Sequence, residues 1–219
     1  MINTQLPNRY GPLNQTYVDR ITGTIGKAMK QYPRLLAIRI DLRFPDEEDR
    51  VDCPTQCYRG PDVISRFINS MKAQVKADLK RKKKAGKRGL NCKLRYVWVR
   101  EFGNKGGGKH YHVLLLVNKD VYSWPGYYLT ERFSDGISER YNLSHMVVRA
   151  WLKAIGRGTE EKKYHGLVHF PEQGYYLITR NHVFMADILN DLTDRALYLA
   201  KMRSKDTSDG YRSFGCSQD

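Results

Sequence analysis

The chain switches repeatedly between two hydrophobic periods. Between residues 14 and 31, Tyr17, Ile21, Ile25, Ala28 and Met29 recur at helical spacing, and Tyr32-Pro33 ends the run, which predicts a helix. In Leu35–Phe44 the period falls to two: the second half alternates Ile and Leu with charged residues, as in a strand with one polar face. Pro45 to Gly60 is acidic, holds proline and cysteine, and reads as a loop. From Pro61-Asp62 a second helix carries Val63, Ile64, Phe67, Ile68, Met71, Val75 and Leu79 on one side and runs into a basic segment. Leu94–Phe102 and His110–Asn118 are predicted strands, joined by the glycine-rich turn 103–109 into a β-hairpin. An aromatic loop over 122–133 leads to a helix at Leu143–Ile155 that buries Met146, Val147, Ala150 and Trp151. Short strands at Gly166–Phe170 and Tyr175–Thr179 and a long final helix from Val183 to about Ser204 follow.

This order predicts an α+β fold: an antiparallel sheet of about five strands in a split β-α-β layout, with helices packed on it. One domain is expected over 1–219, with 1–33 as an N-terminal helical extension, 80–89 as a basic arm and 205–219 as a polar tail. Many functions share such a layout, so function has to be argued from particular side chains.

Charge narrows the field first. A formal net charge of +15 on a 219-residue chain, with 41% hydrophobic residues, describes a folded domain that meets a polyanion, most commonly nucleic acid. The longest apolar run, Val113–Val117, is far too short to cross a bilayer, and Met1–Leu13 has no signal-peptide core, so no membrane role and a cytoplasmic location in a bacterial host are expected. Cys53 and Cys57 lack a second well-spaced pair, and Cys92 and Cys216 stand apart, so free thiols are expected rather than a zinc knuckle. Lys80, Arg81, Lys82, Lys83, Lys84, Lys87 and Arg88 form a candidate phosphate-binding arm, with solvated lysines at a helix end as the alternative. Tyr122, Trp124, Tyr127 and Tyr128 either stack on unpaired bases or form a small core under a loop.

Two constellations carry chemistry. His110-Tyr111-His112 lies at the start of a strand, where residues two apart share a face, so both imidazoles can reach one ion. Glu101, at the end of the preceding strand, sits across the turn and can complete a His-His-Glu set; Asp41 and Glu172 are reserve ligands. The second is Tyr198-Leu199-Ala200-Lys201. Residues three apart share a helix face, and Tyr198 alone among fifteen tyrosines has a lysine three residues later. Asp191, Asp194, Arg195 and Lys205 project to the same polar side, opposite Leu189, Leu192 and Ala196. A phenol needs a cation to become a good nucleophile at neutral pH, and Lys201 supplies one.

A strand bearing His-hydrophobic-His, an upstream Glu and a late Tyr-x-x-Lys helix resemble the HUH endonucleases. Arg100-Glu101, the run His110–Tyr122, Ala196–Lys201 and Arg212–Ser217 are most similar to the inovirus-type gene II replication initiation proteins, which have prophage-borne relatives. The resemblance runs from about Leu35 to Ser217. It implies a single-tyrosine nickase that depends on Mg²⁺ or Mn²⁺, cuts single-stranded or extruded origin DNA and initiates rolling-circle replication. By the same resemblance His110 and His112 hold the metal, Tyr198 is the nucleophile and Lys201 its helix partner; Glu101 falls where the family's third ligand varies. No helicase motif follows, so a host helicase and polymerase are the implied partners. The rival expectations are a non-catalytic prophage DNA-binding regulator and an RNA-recognition-motif-like module with Tyr96, Trp98 and Tyr111 exposed on its sheet.

Overall fold

The computed structural model of the chain describes residues 10–45, 57–87, 89, 91–103, 108–128, 142–202, 205 and 209–218. Helix α1 (Gln15–Gln31) opens at Asn14, whose side chain accepts a hydrogen bond from the Tyr17 amide at 3.1 Å and so satisfies one of the free N–H groups of the first turn. Then follow β1 (Arg34–Leu42), α2 (Val63–Lys84), β2 (Arg95–Phe102), β3 (Lys109–Asn118), α3 (Leu143–Ala154), a short α4 (Glu161–Tyr164), β4 (Val168–His169), β5 (Tyr175–Thr179), α5 (Met185–Leu197) and β6 (Phe214–Cys216). The six strands form one antiparallel sheet in the order β4-β1-β3-β2-β6, and β5 pairs with the Arg34–Ile38 part of β1 while β4 pairs with its end at Asp41 and Leu42. The expected α+β, split β-α-β layout is thus the observed one, with β3 at its centre.

Alternation along the strands divides the interior into two layers. On one face, Leu36, Ile38, Ile40 and Leu42 of β1 and Tyr111, Val113, Leu115 and Val117 of β3 pack under α2 and α3. Trp151 of α3 is fully buried there and donates its indole N–H to the Arg43 carbonyl at 2.7 Å, so its polar atom is satisfied. On the other face, Leu35 and Ala37 of β1, Val97 and Val99 of β2 and Leu114 and Leu116 of β3 pack under α1 and α5. No helix of the described residues is long and apolar enough to cross a membrane.

Two elements depart from the sequence expectation, and one is extended. Helix α2 runs through the basic segment as far as Lys84, because lysine, arginine and alanine are good helix formers, and it stops where Gly86 takes φ +82°. The basic arm is therefore the last turns of a helix as far as Lys84, with Lys87 beyond its end and Arg88 outside the described residues. The final helix ends at Leu197, not near Ser204. A 3₁₀ turn, Tyr198–Ala200, follows, and the chain preceding α1 captures its exit: Asn14 N–H donates to the Ala200 carbonyl at 2.8 Å, Met202 N–H to the Pro12 carbonyl at 3.0 Å, and Leu13 bridges Lys201. The polar tail is not a tail throughout. β6 pairs with β2 through Val97–Val99 and supplies a sixth strand, and Phe214 is buried with its ring stacked on Tyr17 at 4.2 Å.

If β6 is part of the fold, replacing Phe214 by Ala should cost about 3 kcal/mol, the usual scale for removing a buried phenyl ring. Urea unfolding of the variant measures this; an unchanged midpoint would mean that the C-terminal strand contributes nothing.

Candidate metal and tyrosine site

The candidate residues gather at one end of the sheet, on the face that carries α1 and α5. In the β2–β3 ladder Glu101 lies directly opposite His110, and His112 lies opposite Val99, so alternation sets Glu101, His110 and His112 on one face. Among the described residues these three form a group whose ligand atoms all lie within 4.8 Å of one another. Glu101 is 2% exposed and His112 is 7% exposed.

The hydrogen bonds fix which atoms are free. His110 Nδ1 lies 3.2 Å from the Gly108 carbonyl, which can only accept, so Nδ1 carries the proton and Nε2 keeps a lone pair. His112 Nδ1 donates to the Asp41 carboxylate at 2.5 Å, leaving its Nε2 3.5 Å from Glu101 Oε2. Asp41 stands opposite His112 in the β1–β3 register and opposite His169 in the β1–β4 register. It thus fixes the orientation of the His112 imidazole and lies outside the group that could hold an ion. Arg39 Nε and His169 Nδ1 each lie 3.6 Å from Asp41. Glu101 Oε1 is buried without a hydrogen bond, while Oε2 pairs with Lys201 Nζ at 2.9 Å. Two imidazole lone pairs and a buried carboxylate, whose Oε1 makes no hydrogen bond and has the Lys205 ammonium 3.6 Å away, are a donor set that fits a divalent cation. The site can hold a metal ion; Glu172, the other reserve ligand, is exposed and outside the group.

The charges follow from these contacts. Burial pushes the Glu101 carboxyl up, but His112 and Lys201 outweigh it and hold it down at about 2. Burial lowers His112, yet Asp41 and Glu101 together raise it above the ordinary histidine value. His110 is lowered, chiefly by burial, with the His112 charge adding to it. Lys205, half-buried and near both Glu101 and Lys201, is pushed down to about 8, again chiefly by burial.

Tyr198 and Lys201 close the site from above. Lys201 is 5% exposed, contrary to the solvated helix face expected from the sequence, because the helix ends before it and the chain turns it inward to Glu101. Its ammonium donates to the Tyr198 hydroxyl and lies 3.7 Å from the centre of that ring. The Tyr198 ring meets His112 edge-on at 5.5 Å between centroids and Tyr10 likewise at 5.5 Å. The Arg39 guanidinium lies 4.9 Å from the ring centre. Arg39 and His169 had not been singled out in the sequence. For Arg39 a signal existed: it shares with Asp41 the polar face of β1, which the register turns toward the histidines. For His169 there was none, since its strand has only two residues.

The remaining candidates lie elsewhere. Arg81 and Lys82 pair with the buried Asp78 at 2.5 and 2.8 Å, and Lys82 also donates to the Val121 carbonyl, so these two brace the loop after β3. Lys80, Lys83, Lys84 and Lys87 are exposed, on the opposite sheet face from the metal group. Tyr122 is core, its hydroxyl donating to Asp78 at 3.0 Å, whereas Trp124 and Tyr127 are exposed and pack edge-on against each other. Tyr111, at the sheet centre, is buried, and Tyr96 and Trp98 are half-buried against the α2–α3 layer, so the central strand offers no exposed aromatic for RNA reading. Cys92 and Cys216 are free thiols; Cys53 lies outside the described residues, as do 104–107 of the glycine-rich turn.

Fold and site together define an α+β sheet domain with a histidine–carboxylate group under a lysine-paired tyrosine. Residues 1–217 match the model of the YagK/YfjJ C-terminal domain family, and the chain belongs to that family. It is 36% identical over 205 residues to the uncharacterized protein YagK of Escherichia coli (strain K12), covering 92% of each chain. It is 32% identical over 214 residues to the uncharacterized protein YfjJ of the same strain, covering 96% of this chain and 98% of the relative. No solved structure matches.

Titration calorimetry with Mn²⁺ tests the donor set. Binding should be lost in H110A/H112A and weakened about tenfold or more in D41N, the usual effect of removing a carboxylate that orients a ligand histidine. Protons compete for His112 Nε2, so affinity should rise with pH through the raised His112 value and level off above it, with proton release on binding. A pH-independent affinity, or unchanged binding in H110A/H112A, would remove the metal from this site.

Proposed function

We propose that this chain is a metal-dependent, single-tyrosine DNA nickase of the HUH type that initiates rolling-circle-type replication. The observation that carries the reading is the bond chain through Lys201: one ammonium touches both the Tyr198 hydroxyl and the Glu101 carboxylate of the metal group. A tyrosine joined in this way to a histidine–carboxylate set is arranged for attack on a phosphodiester rather than for packing. The net charge of +15 supports a polyanionic substrate.

A divalent ion held by His110, His112 and Glu101, Mg²⁺ or Mn²⁺, would supply Lewis-acid polarisation of the scissile phosphate. The remaining work falls to the chain. Tyr198 Oη bonds to phosphorus, the bond from phosphorus to the departing 3′ oxygen breaks, and that oxygen takes a proton from solvent as the phenol releases its own. The Lys201 ammonium faces the phenolic oxygen and stabilises the phenolate as the phenol gives up its proton. The Arg39 guanidinium, beside the ring, gives a second fixed cation near the attacked phosphate. Asp41 keeps His112 in one tautomer and one orientation. The product is a 5′-phosphotyrosyl enzyme and a free 3′-hydroxyl, which stores the bond for rejoining and offers a primer end. Unwinding and extension then belong to a helicase and polymerase of the host. A non-catalytic prophage DNA-binding regulator is the outcome if no cleavage occurs.

Incubation with single-stranded oligonucleotides and Mn²⁺ should give a covalent adduct that survives denaturing electrophoresis. Tyr198→Phe should abolish it and leave DNA binding within about twofold, whereas Lys201→Met should slow it by about 10²-fold or more, as for loss of a preorganised stabilising group. An undiminished adduct in Tyr198→Phe would sink the assignment.

A further inference from the structure

On the sheet face away from the metal group, α2 and the start of β2 enclose two adjoining recesses of about 550 and 900 Å³ that share Lys76 and Leu79. Six lysines line them: Lys72, Lys76, Lys80, Lys83 and Lys87 from α2 and its exit, and Lys93 ahead of β2. No acidic side chain is among the described residues of either lining. The helix lysines are spaced by three or four residues, so they form a row of charges about one turn, ~5 Å, apart along one side of the helix. The floor of the smaller recess is apolar, built from Val75, Leu79, Leu94 and the half-buried Tyr96, with Ser217 and Gln218 at its edge; Leu79 continues into the larger recess, which Gly86, Gly89 and Asn91 complete.

We propose that this groove binds an unpaired nucleic-acid strand, with phosphates along the lysine row and bases turned toward the apolar floor. The row supplies a track for a repeating anion. A duplex hides its base faces in its own stack and has no use for a recessed apolar floor, whereas a single strand can turn its bases into it. An acidic peptide would match the charge but not the regular row beside an apolar slot. The groove does not depend on the nickase reading. Tyr96 points to the face opposite Glu101 and lies five residues from it along β2, about 17 Å at strand rise, so the two sites are separate surfaces of one sheet. A strand held here is retained independently of whatever occurs at the metal group.

The test is fluorescence anisotropy of a labelled 20-nucleotide oligo-dT with the full chain over a series of salt concentrations. K72Q/K76Q/K80Q should bind at least tenfold more weakly at 0.1 M salt, and the slope of log affinity against log salt should fall by about 2, three phosphate contacts at ~0.7 each. A charge-matched control, K30Q/K153Q/K162Q, alters exposed lysines outside the groove and should stay within twofold of wild type. Equal losses in the groove variant and the charge-matched control would reduce the effect to net charge and overturn the proposal. So would displacement of the oligonucleotide by polyglutamate or by a 20-base-pair duplex at concentrations no higher than unlabelled oligo-dT requires. A groove variant that loses binding while the covalent adduct on saturating DNA still forms would support the groove and the nickase reading separately; an adduct that fails in wild type leaves the groove result standing.

Discussion

The buried ion pair between Glu101 and Lys201 is the contact on which the rest of the site depends. Two charges at 2% and 5% exposure persist together only because each has the other and further polar neighbours. Glu101 comes from the end of a hairpin strand, and Lys201 from the chain just after α5, held in place by the segment that precedes α1. The pair therefore joins three distant parts of the chain at one point. It sets Tyr198 over the histidines, because the ammonium that satisfies Glu101 also reaches the phenol. It also divides the carboxylate: Oε2 answers Lys201, and Oε1, which makes no hydrogen bond, faces Lys205 at 3.6 Å.

Sheet order does the rest. β3 lies between β1 and β2, so the histidines of β3 have a carboxylate neighbour on either side, Asp41 across one ladder and Glu101 across the other. The two carboxylates are not equivalent. Asp41 meets Nδ1 of His112 and fixes its tautomer, whereas Glu101 faces the Nε2 side through the oxygen it shares with Lys201. The same alternation that sends His110 and His112 to one layer sends Tyr111 into the core between α2 and α3. The second face is thereby closed to base stacking at the sheet centre, and its accessible chemistry moves to the lysine-rimmed edge beside α2.

Strand pattern made much of this legible. Two histidines spaced by two had to share a face, and a glutamate at the other end of a hairpin had to stand near them. The polar face of β1 was visible in Arg39 and Asp41, but which strand it would border was not, because register between strands distant in sequence is set by tertiary pairing. The end of the last helix was misplaced for a similar reason: nothing local between Leu197 and Ser204 stops a helix, and the stop is imposed by Pro12–Asn14. The C-terminal strand is only three residues long and polar at its flanks, so its pairing with β2 left no periodic signal. Continuation of α2 through the lysines follows from helix propensity once charge repulsion is judged weaker than the propensity of lysine and arginine, which the composition of the segment does not decide by itself.

The claim that binds these parts is that Tyr198, and no other group, becomes linked to DNA. Tandem mass spectrometry of a tryptic digest of the adduct addresses it at the level of one side chain. The account requires the nucleotide phosphate on Tyr198 in the peptide Ala196–Lys201. Modification of Tyr10, whose ring packs against Tyr198, or of any residue outside that peptide would contradict it.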